Sequence, residues 1–486
     1  MRAILLEEPE LEFGAGTHVD IRFGLMESGP LDRDTDLAPR PLKVGVVGTK
    51  KTCDAACEWL QKLRGEIPAQ QTHLSNLHPP FPGIDASSCF GTELQIHDRW
   101  ISPVSMREVD SMISSCTPAE LAERSVDLFL SHADDLVDAG GPSVLIVAPP
   151  PELFAALESD PRPPIDPDDQ ELDESTEATP SAATPCFHDI LKAKGMRLAV
   201  PIQMVRPRTY GMTAGNKKGH KGRKTLQDEA TRAWNFAVAL YYKAGGTLWR
   251  IPRQTSDLTA CFVGVSFFKI PNSNDAASSV AHVFNERGEG IIIKGGDAAW
   301  DKSEHQYHLS RNDSFDILSS ALTLYRKEHH TVPARVILHK TSPFSDAEQD
   351  GFKGASERER IAYTDLIHVR RSYSRFFRTD IYPPFRGTLV ELEDARGLLY
   401  LRGSVSFFQA YPGLYVPRPF EFCLCQSENG VEEVGEEMMA LSKLNWNNTQ
   451  FDGGEPITIR AARRVGDILK WIPQDVSPRN GFRFFM

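Results

Sequence analysis

Two patterns of apolar and polar positions divide this chain, and the change falls near Gly246. Before it, short unbroken apolar runs alternate with amphipathic stretches. KVGVVGT, Lys43 to Thr49, reads as a strand buried on both faces, and Cys53 to Leu63 as the helix after it. SVLIVAPP, Ser143 to Pro150, reads as a second buried strand, with PELFAALES as its helix. Between them TPAE, Thr117 to Glu120, is a capping box opening a long helix that ends before Gly140 and Gly141. Alternating strand and helix predicts a mostly parallel sheet with helices on both faces. After Gly246 strands follow one another: Thr259 to Lys269, Ser279 to Glu286 and Gly290 to Gly296, the last two joined by a tight turn around ERGEG. A helix near Asp313 to Lys327 and the strand ARVILHK come next. The opening, LEFGAGTHVDIRFGLMESGPLD, predicts strands from the alternation in HVDIRFGL.

One stretch of the first half carries candidate chemistry: TPCFHDILKAKGMRLAVPIQMV, Thr184 to Val205. Thr184 as N-cap, Pro185 at the first helical position and Gly195 as a stop predict a helix from Pro185 to about Lys194. His188 and Lys192 stand four apart on one face, while Phe187, Ile190 and Leu191 pack inward. Gln203 arrives on the strand-like run LAVPIQMV. An imidazole, an ammonium and a carboxamide together can hold an anion through donated hydrogen bonds. The same three residues also suit a surface helix with a solvated lysine. A further helix, about Thr225 to Ala244, ends in Lys243 ahead of Gly245 and Gly246, where the helix dipole alone favours a lysine.

At 486 residues the chain is too long for one ordinary core. Its 41% hydrophobic and 25% charged content is that of a soluble globular protein. No apolar run reaches the roughly 18 residues a bilayer span needs, and acids stand where a signal peptide has bases, so a cytoplasmic location is expected. The close cysteine pairs Cys53/Cys57 and Cys423/Cys425 lack paired CxxC spacing and read as reduced thiols. A net charge of −12 argues against a polyanion partner, but the charge is unevenly spread. Asp160 to Pro185 holds eight acids against Arg162 and reads as a disordered loop, with an acidic decoy for a basic groove as a second reading. NKKGHKGRK offers Lys217, Lys218, Lys221, Arg223 and Lys224 on a glycine-punctuated loop that can follow a phosphate backbone or simply be solvated. GVVGTKKT places Lys50 where a phosphate-binding GxxxxGKT loop needs glycine, so that loop is absent.

The spacing of His188, Lys192 and Gln203, followed by Lys243 in YYKAGG, resembles the guide 5′-phosphate pocket of the MID domain in Argonaute proteins. At this length the chain resembles a short prokaryotic Argonaute of MID and PIWI domains only. The resemblance implies a strand-rich lead-in over residues 1–40, a Rossmann-like MID domain over 41–246 with the acidic loop at 160–184, and a ribonuclease-H-like PIWI domain over 247–486. It implies a short 5′-phosphorylated guide RNA held by His188, Lys192, Gln203 and Lys243, a single-stranded DNA target, and an APAZ-containing effector of TIR, sirtuin-like or nuclease type. Arg460, Arg463, Arg464 and Lys470, on a helix after an N-W-N segment, are expected to make an exposed basic face. Met486 is expected to fold back and share Mg²⁺ with the guide phosphate, its tail anchored by Phe484 and Phe485.

The sequence departs from the active pattern of that family. The acid of F-x-G-x-D falls on Ser266 in FVGVS, and the acid of H-R-D-G falls on Thr341 in HKTS. PITIRAARR holds no Asp, Glu or His, and no acid lies anywhere from Thr259 to Lys269. Asp297 and Glu289 alone cannot hold two Mg²⁺ ions. A PIWI domain that binds a duplex without cutting it is therefore expected. The rivals are a guided nuclease with displaced acids and a nucleotide-binding α/β enzyme with no nucleic-acid role.

Overall fold

The computed structural model describes residues 1–157, 186–211, 227–252, 258–269, 277–285, 290–303, 305–376, 383–413, 416–451, 453–473 and 476–486. The chain opens with β1 (Arg2–Leu5), β2 (Leu11–Glu12) and β3 (Thr17–His18), then α1 (Ile21–Ser28). The last of these corrects the reading of HVDIRFGL as strand. The Asp20 side chain accepts from the backbone N–H groups of Arg22 and Phe23 at 2.9 and 3.1 Å, which starts a helix. Ile21 and Leu25, four apart, then share one buried face, so the alternating pattern also satisfies helical spacing.

The first of the two sheets that organise the chain is built from β4 (Leu42–Thr49), β5 (Leu94–Gln95), β6 (Ile101–Val104), β7 (Val144–Ala148) and β8 (Ile202–Met204). All pairings are parallel; β5 and β6 share one edge of β4, and β7 then β8 extend the other. Helices α2 (Lys50–Lys62), α3 (Met106–Ser115), α4 (Pro118–Asp138), α5 (Pro151–Ala156), α6 (Phe187–Gly195) and α7 (Glu229–Lys243) supply the crossovers. The expected capping box is present: Thr117 N and Oγ1 donate to Glu120, and Glu120 N donates back to Thr117 Oγ1. Val44, Val46 and Ile146 are fully buried, each worth roughly 1.5–3 kcal/mol over exposure. The expected caps at Thr184 and the start at Thr225 lie outside the described residues; α6 begins after Cys186, and α7 is capped by Asp228.

The second sheet has ten strands. Its centre is parallel: β9 (Ala260–Lys269) pairs with β13 (Arg335–Lys340), and β13 with β14 (Tyr363–Arg371). Beyond β9 run β10 (Ala277–Asn285), β11 (Gly290–Asp301) and β12 (Gln306–Leu309), all antiparallel. Beyond β14 run β17 (Phe420–Gln426), β16 (Arg396–Leu399), β15 (Thr388–Glu393) and finally β1. On one face α8 (Arg311–His329) and α9 (Asp346–Glu359) bury Ile317, Leu318 and Phe352 against Val263 and Leu338. α10 (Val431–Leu441) packs near β15 and β16. On the opposite face α11 (Ile457–Leu469) crosses β9 at Gly264, where an added Cβ would come within 2.1 Å of Thr458 O. Only glycine allows that approach.

The first forty residues do not form a separate unit. β1 closes one edge of the ten-stranded sheet, and Glu8 accepts from Arg386 Nε at 2.9 Å and Lys443 Nζ at 3.0 Å. Among the described residues no helix is long and apolar enough to cross a membrane.

Candidate functional site

A cavity of about 480 Å³ opens where the two sheets meet. α6 and β8 bring His188, Lys192 and Gln203 to one side, and α7 contributes Arg232 and Asn235. The far side comes from the second sheet and its crossing helix: Arg371 at the end of β14, Arg402, and Arg460, Arg463 and Arg464 on α11. Arg206 and Arg208, just after β8, complete a wall whose only acids among the described lining residues are Glu455 and Asp467. In a chain of net charge −12, this concentrates cations in one concave place.

Each cation is held by its surroundings. Lys192 is 2% exposed, and its Nζ donates to Ile202 O and Met486 O. Burial, then Lys243 and Arg464, push its ammonium well below the ordinary lysine range. His188 Nδ1 lies 3.0 Å from both Asp189 Oδ1 and Arg464 Nη2, and burial drives the ring down to about 3, so it is neutral at physiological pH. Glu455 bridges Arg371 Nε at 2.9 Å and Arg463 Nη1 at 3.0 Å. Burial opposes its ionisation, yet Arg463 and Arg371 hold it at about 2, an acid clamped between two guanidiniums.

Several sequence expectations need correction here. Gln203 lines the cavity; one N–H of its Nε2 donates to Met204 O at 3.1 Å and its Oε1 is buried without a partner. Lys243 stands behind the wall, fully buried, with Nζ donating to Asn447 Oδ1 at 3.3 Å; burial alone lowers it to about 7. Arg460, Arg463 and Arg464 line the cavity, Arg463 with its side chain partly exposed, while Lys470 pairs with Asp467 at 3.2 Å. Phe482 and Phe485 are buried in the core and anchor the last residues, and the half-buried Phe484 packs against the same core with Arg479 and Arg483 over its ring. One oxygen of the group expected to share Mg²⁺, Met486 O, accepts from Lys192 Nζ.

The basic loop with Lys217, Lys218, Lys221, Arg223 and Lys224, the acidic loop at 160–184 and Glu289 lie outside the described residues. Arg206, Arg208, Arg232, Arg371 and Arg402 were not singled out in the sequence. The doublet Arg370–Arg371 closing a strand and the R-P-R after Gln203's strand were the available signals.

Ser266, inside β9, and Thr341, just past the end of β13, stand one residue beyond the last aligned pair of these parallel strands, Val265 and Lys340. Around them polar groups are matched to one another. His339 Nδ1 lies 2.8 Å from Thr458 Oγ1, and the fully buried Lys340 Nζ lies 2.7 Å from Glu348 Oε1. Asp297 is on β11, with β10 between it and β9. Among the described residues, no group of three or more His, Cys, Asp or Glu side chains could hold a metal ion.

No protein-family model and no curated protein sequence matches this chain. Solved structures do. The chain is similar to the Argonaute of Clostridium butyricum bound to a guide DNA and a 19-mer target DNA, at 15% identity and a TM-score of 0.60, over 98% of this chain and 54% of that one. It is similar to Drosophila Piwi at 14% identity and a TM-score of 0.60, over 99% and 56% of the two chains. It is also similar to the A. aeolicus Argonaute at 13% identity and a TM-score of 0.55, over 98% and 54%. The fold of this chain is therefore that of the Argonaute and Piwi proteins, spanning about half their length.

Proposed function

We propose that the chain binds a short 5′-phosphorylated guide, RNA by preference, in the cavity between its two sheets and presents it for pairing with single-stranded DNA. The observation that carries this reading is the cavity itself: buried Lys192 and neutral His188 beside Arg464, with further arginines leading away along α11. A terminal phosphate would take charge-assisted hydrogen bonds from Lys192 and Arg464 and a neutral one from His188, and the arginines would follow the next phosphates. Target choice would belong to base pairing, since these groups address backbone only.

On the same reading the second sheet does not cut its target, because Ser266 and Thr341 offer hydroxyls where two-metal hydrolysis needs carboxylates. Guide and target binding would then be passed to a separate APAZ-containing effector, of NADase or nuclease type. Structural likeness to Argonautes supports the nucleic-acid part of this proposal, and the effector part comes from the sequence resemblance.

The test compares 5′-phosphate with 5′-hydroxyl RNA on wild type and on His188→Ala with Lys192→Ala. Loss of charge-assisted bonds of about 1.5–3 kcal/mol each predicts at least a tenfold phosphate preference in wild type, abolished in the double variant. Equal affinity for both guide ends would remove the proposal. Incubation of the guided protein with complementary DNA in Mg²⁺ or Mn²⁺ should leave the DNA intact, and guided cleavage would return the nuclease reading.

A further inference from the structure

One wall of the cavity carries no charge. Asn445, Asn447 and Asn448, from the loop between α10 and α11, line the same space as Lys192 and Arg464. Every carbonyl of this trio is already engaged. Asn445 Oδ1 accepts from Asn447 N at 3.2 Å, Asn447 Oδ1 from Lys243 Nζ at 3.3 Å, and Asn448 Oδ1 from Gln450 N at 3.0 Å. With the oxygens fixed, all three Nδ2 groups are left without a partner among the described residues, although Asn448 is only 6% exposed. Donors left open toward a cavity can be taken up by an oxygen of whatever fills it.

The loop is rigidly seated. Trp446, between the asparagines, is fully buried, donates from Nε1 to Trp249 O at 3.2 Å, and stacks on Tyr242 with ring centroids 5.2 Å apart. Each carboxamide oxygen is turned to one of the protein's own donors while the Nδ2 groups are not, so the wall offers more donors than acceptors and suits an oxygen ligand. Lys243 links the two walls: its Nζ holds Asn447 while its charge acts on Lys192. A phosphate on the cationic wall would have its own sugar beside the asparagines.

We propose that Asn445, Asn447 and Asn448 read the ribose at the guide's 5′ end, donating from Nδ2 to its 2′-oxygen, and so select ribonucleotide over deoxyribonucleotide guides. The inference rests on the guide reading above and adds to it the sugar that the site takes.

The experiment uses the full chain and guides of one sequence: 5′-phosphorylated RNA, the same RNA with 2′-deoxy residues at the first two positions, all-DNA, and 5′-hydroxyl RNA. Wild type should bind the all-RNA guide about tenfold more tightly than the guide deoxy at two positions, the effect of roughly one good hydrogen bond. In Asn447→Ala with Asn448→Ala that gap should shrink to below about twofold, because the donors are gone. Asn448→Asp, which preserves shape and replaces the donor with an acceptor, should close it as well. Wild type that ignores the sugar overturns the inference without any variant, as do variants that weaken ribose and deoxyribose guides in parallel. If phosphorylated and hydroxyl RNA bind alike, the guide reading itself has failed and this one goes with it; phosphate selectivity without sugar selectivity overturns this one alone.

Discussion

The cavity and the strand ends at Ser266 and Thr341 lie on the two flanks of α11, and they treat charge in opposite ways. At the strand ends each charged group has an internal partner: Lys340 has Glu348, and Glu348 also accepts from Leu309 N at 2.9 Å and Ser345 N at 2.8 Å. In the cavity, cations outnumber acids among the described lining residues. A matched buried pair serves the fold, whereas a surplus of one sign lining a concave place raises the local concentration of ligands of the opposite sign. The difference marks the region on which the proposal of binding without chemistry rests.

The comparison breaks most visibly at Glu348. Replacing it by Gln leaves the Lys340 ammonium buried without its counter-charge, and about 3–5 kcal/mol of stability should be lost. Denaturant unfolding measures this, and a loss below 1 kcal/mol would mean that the pair is not structural. The second effect is on pH. Behind the cavity wall, burial holds Lys243 at about 7, so without a guide it loses its proton as pH rises through that value, while a phosphate bound beyond the wall favours the protonated form. From pH 7 to 9, where a terminal phosphate is already largely dianionic, guide affinity should fall by roughly tenfold. Lys243→Arg, which stays charged, should flatten the profile; a flat wild-type profile would mean that the charge of Lys243 does not reach the bound phosphate. The smallest effect is expected at Arg463, whose side chain is 44% exposed. Arg463→Ala should change stability by less than about 1 kcal/mol while lowering the salt slope of guide binding by about one. An unchanged slope would mean that Arg463 meets no phosphate.

Much of the scaffold was legible in the sequence because its signals are local. The buried run of β4, the Thr117 capping box and the helix bearing His188 and Lys192 each depend on hydrogen bonds and packing within a few residues. HVDIRFGL misled because alternation and helical spacing share Ile21 and Leu25, and the Asp20 cap decides between them. Other features were hidden because they depend on distant partners. Nothing near Arg371 says that it will meet Glu455 beside Lys192, and nothing in β1 says that it will pair with β15. Gln203 was located correctly, but its amide direction is set by Met204 O, which spacing cannot encode.

The seat of α11 on Gly264 has a mechanical consequence. The helix touches β9 two residues from Ser266, and six residues further on it delivers Arg464 to His188. At 1.5 Å per residue, that is a strut of about 9 Å with a stop at one end and a grip at the other. The same helix also rests on Phe268 through Gly466, so the residue that reaches His188 is carried by an element seated against β9 on both sides of it. Any displacement of Arg464 would have to move that seat with it.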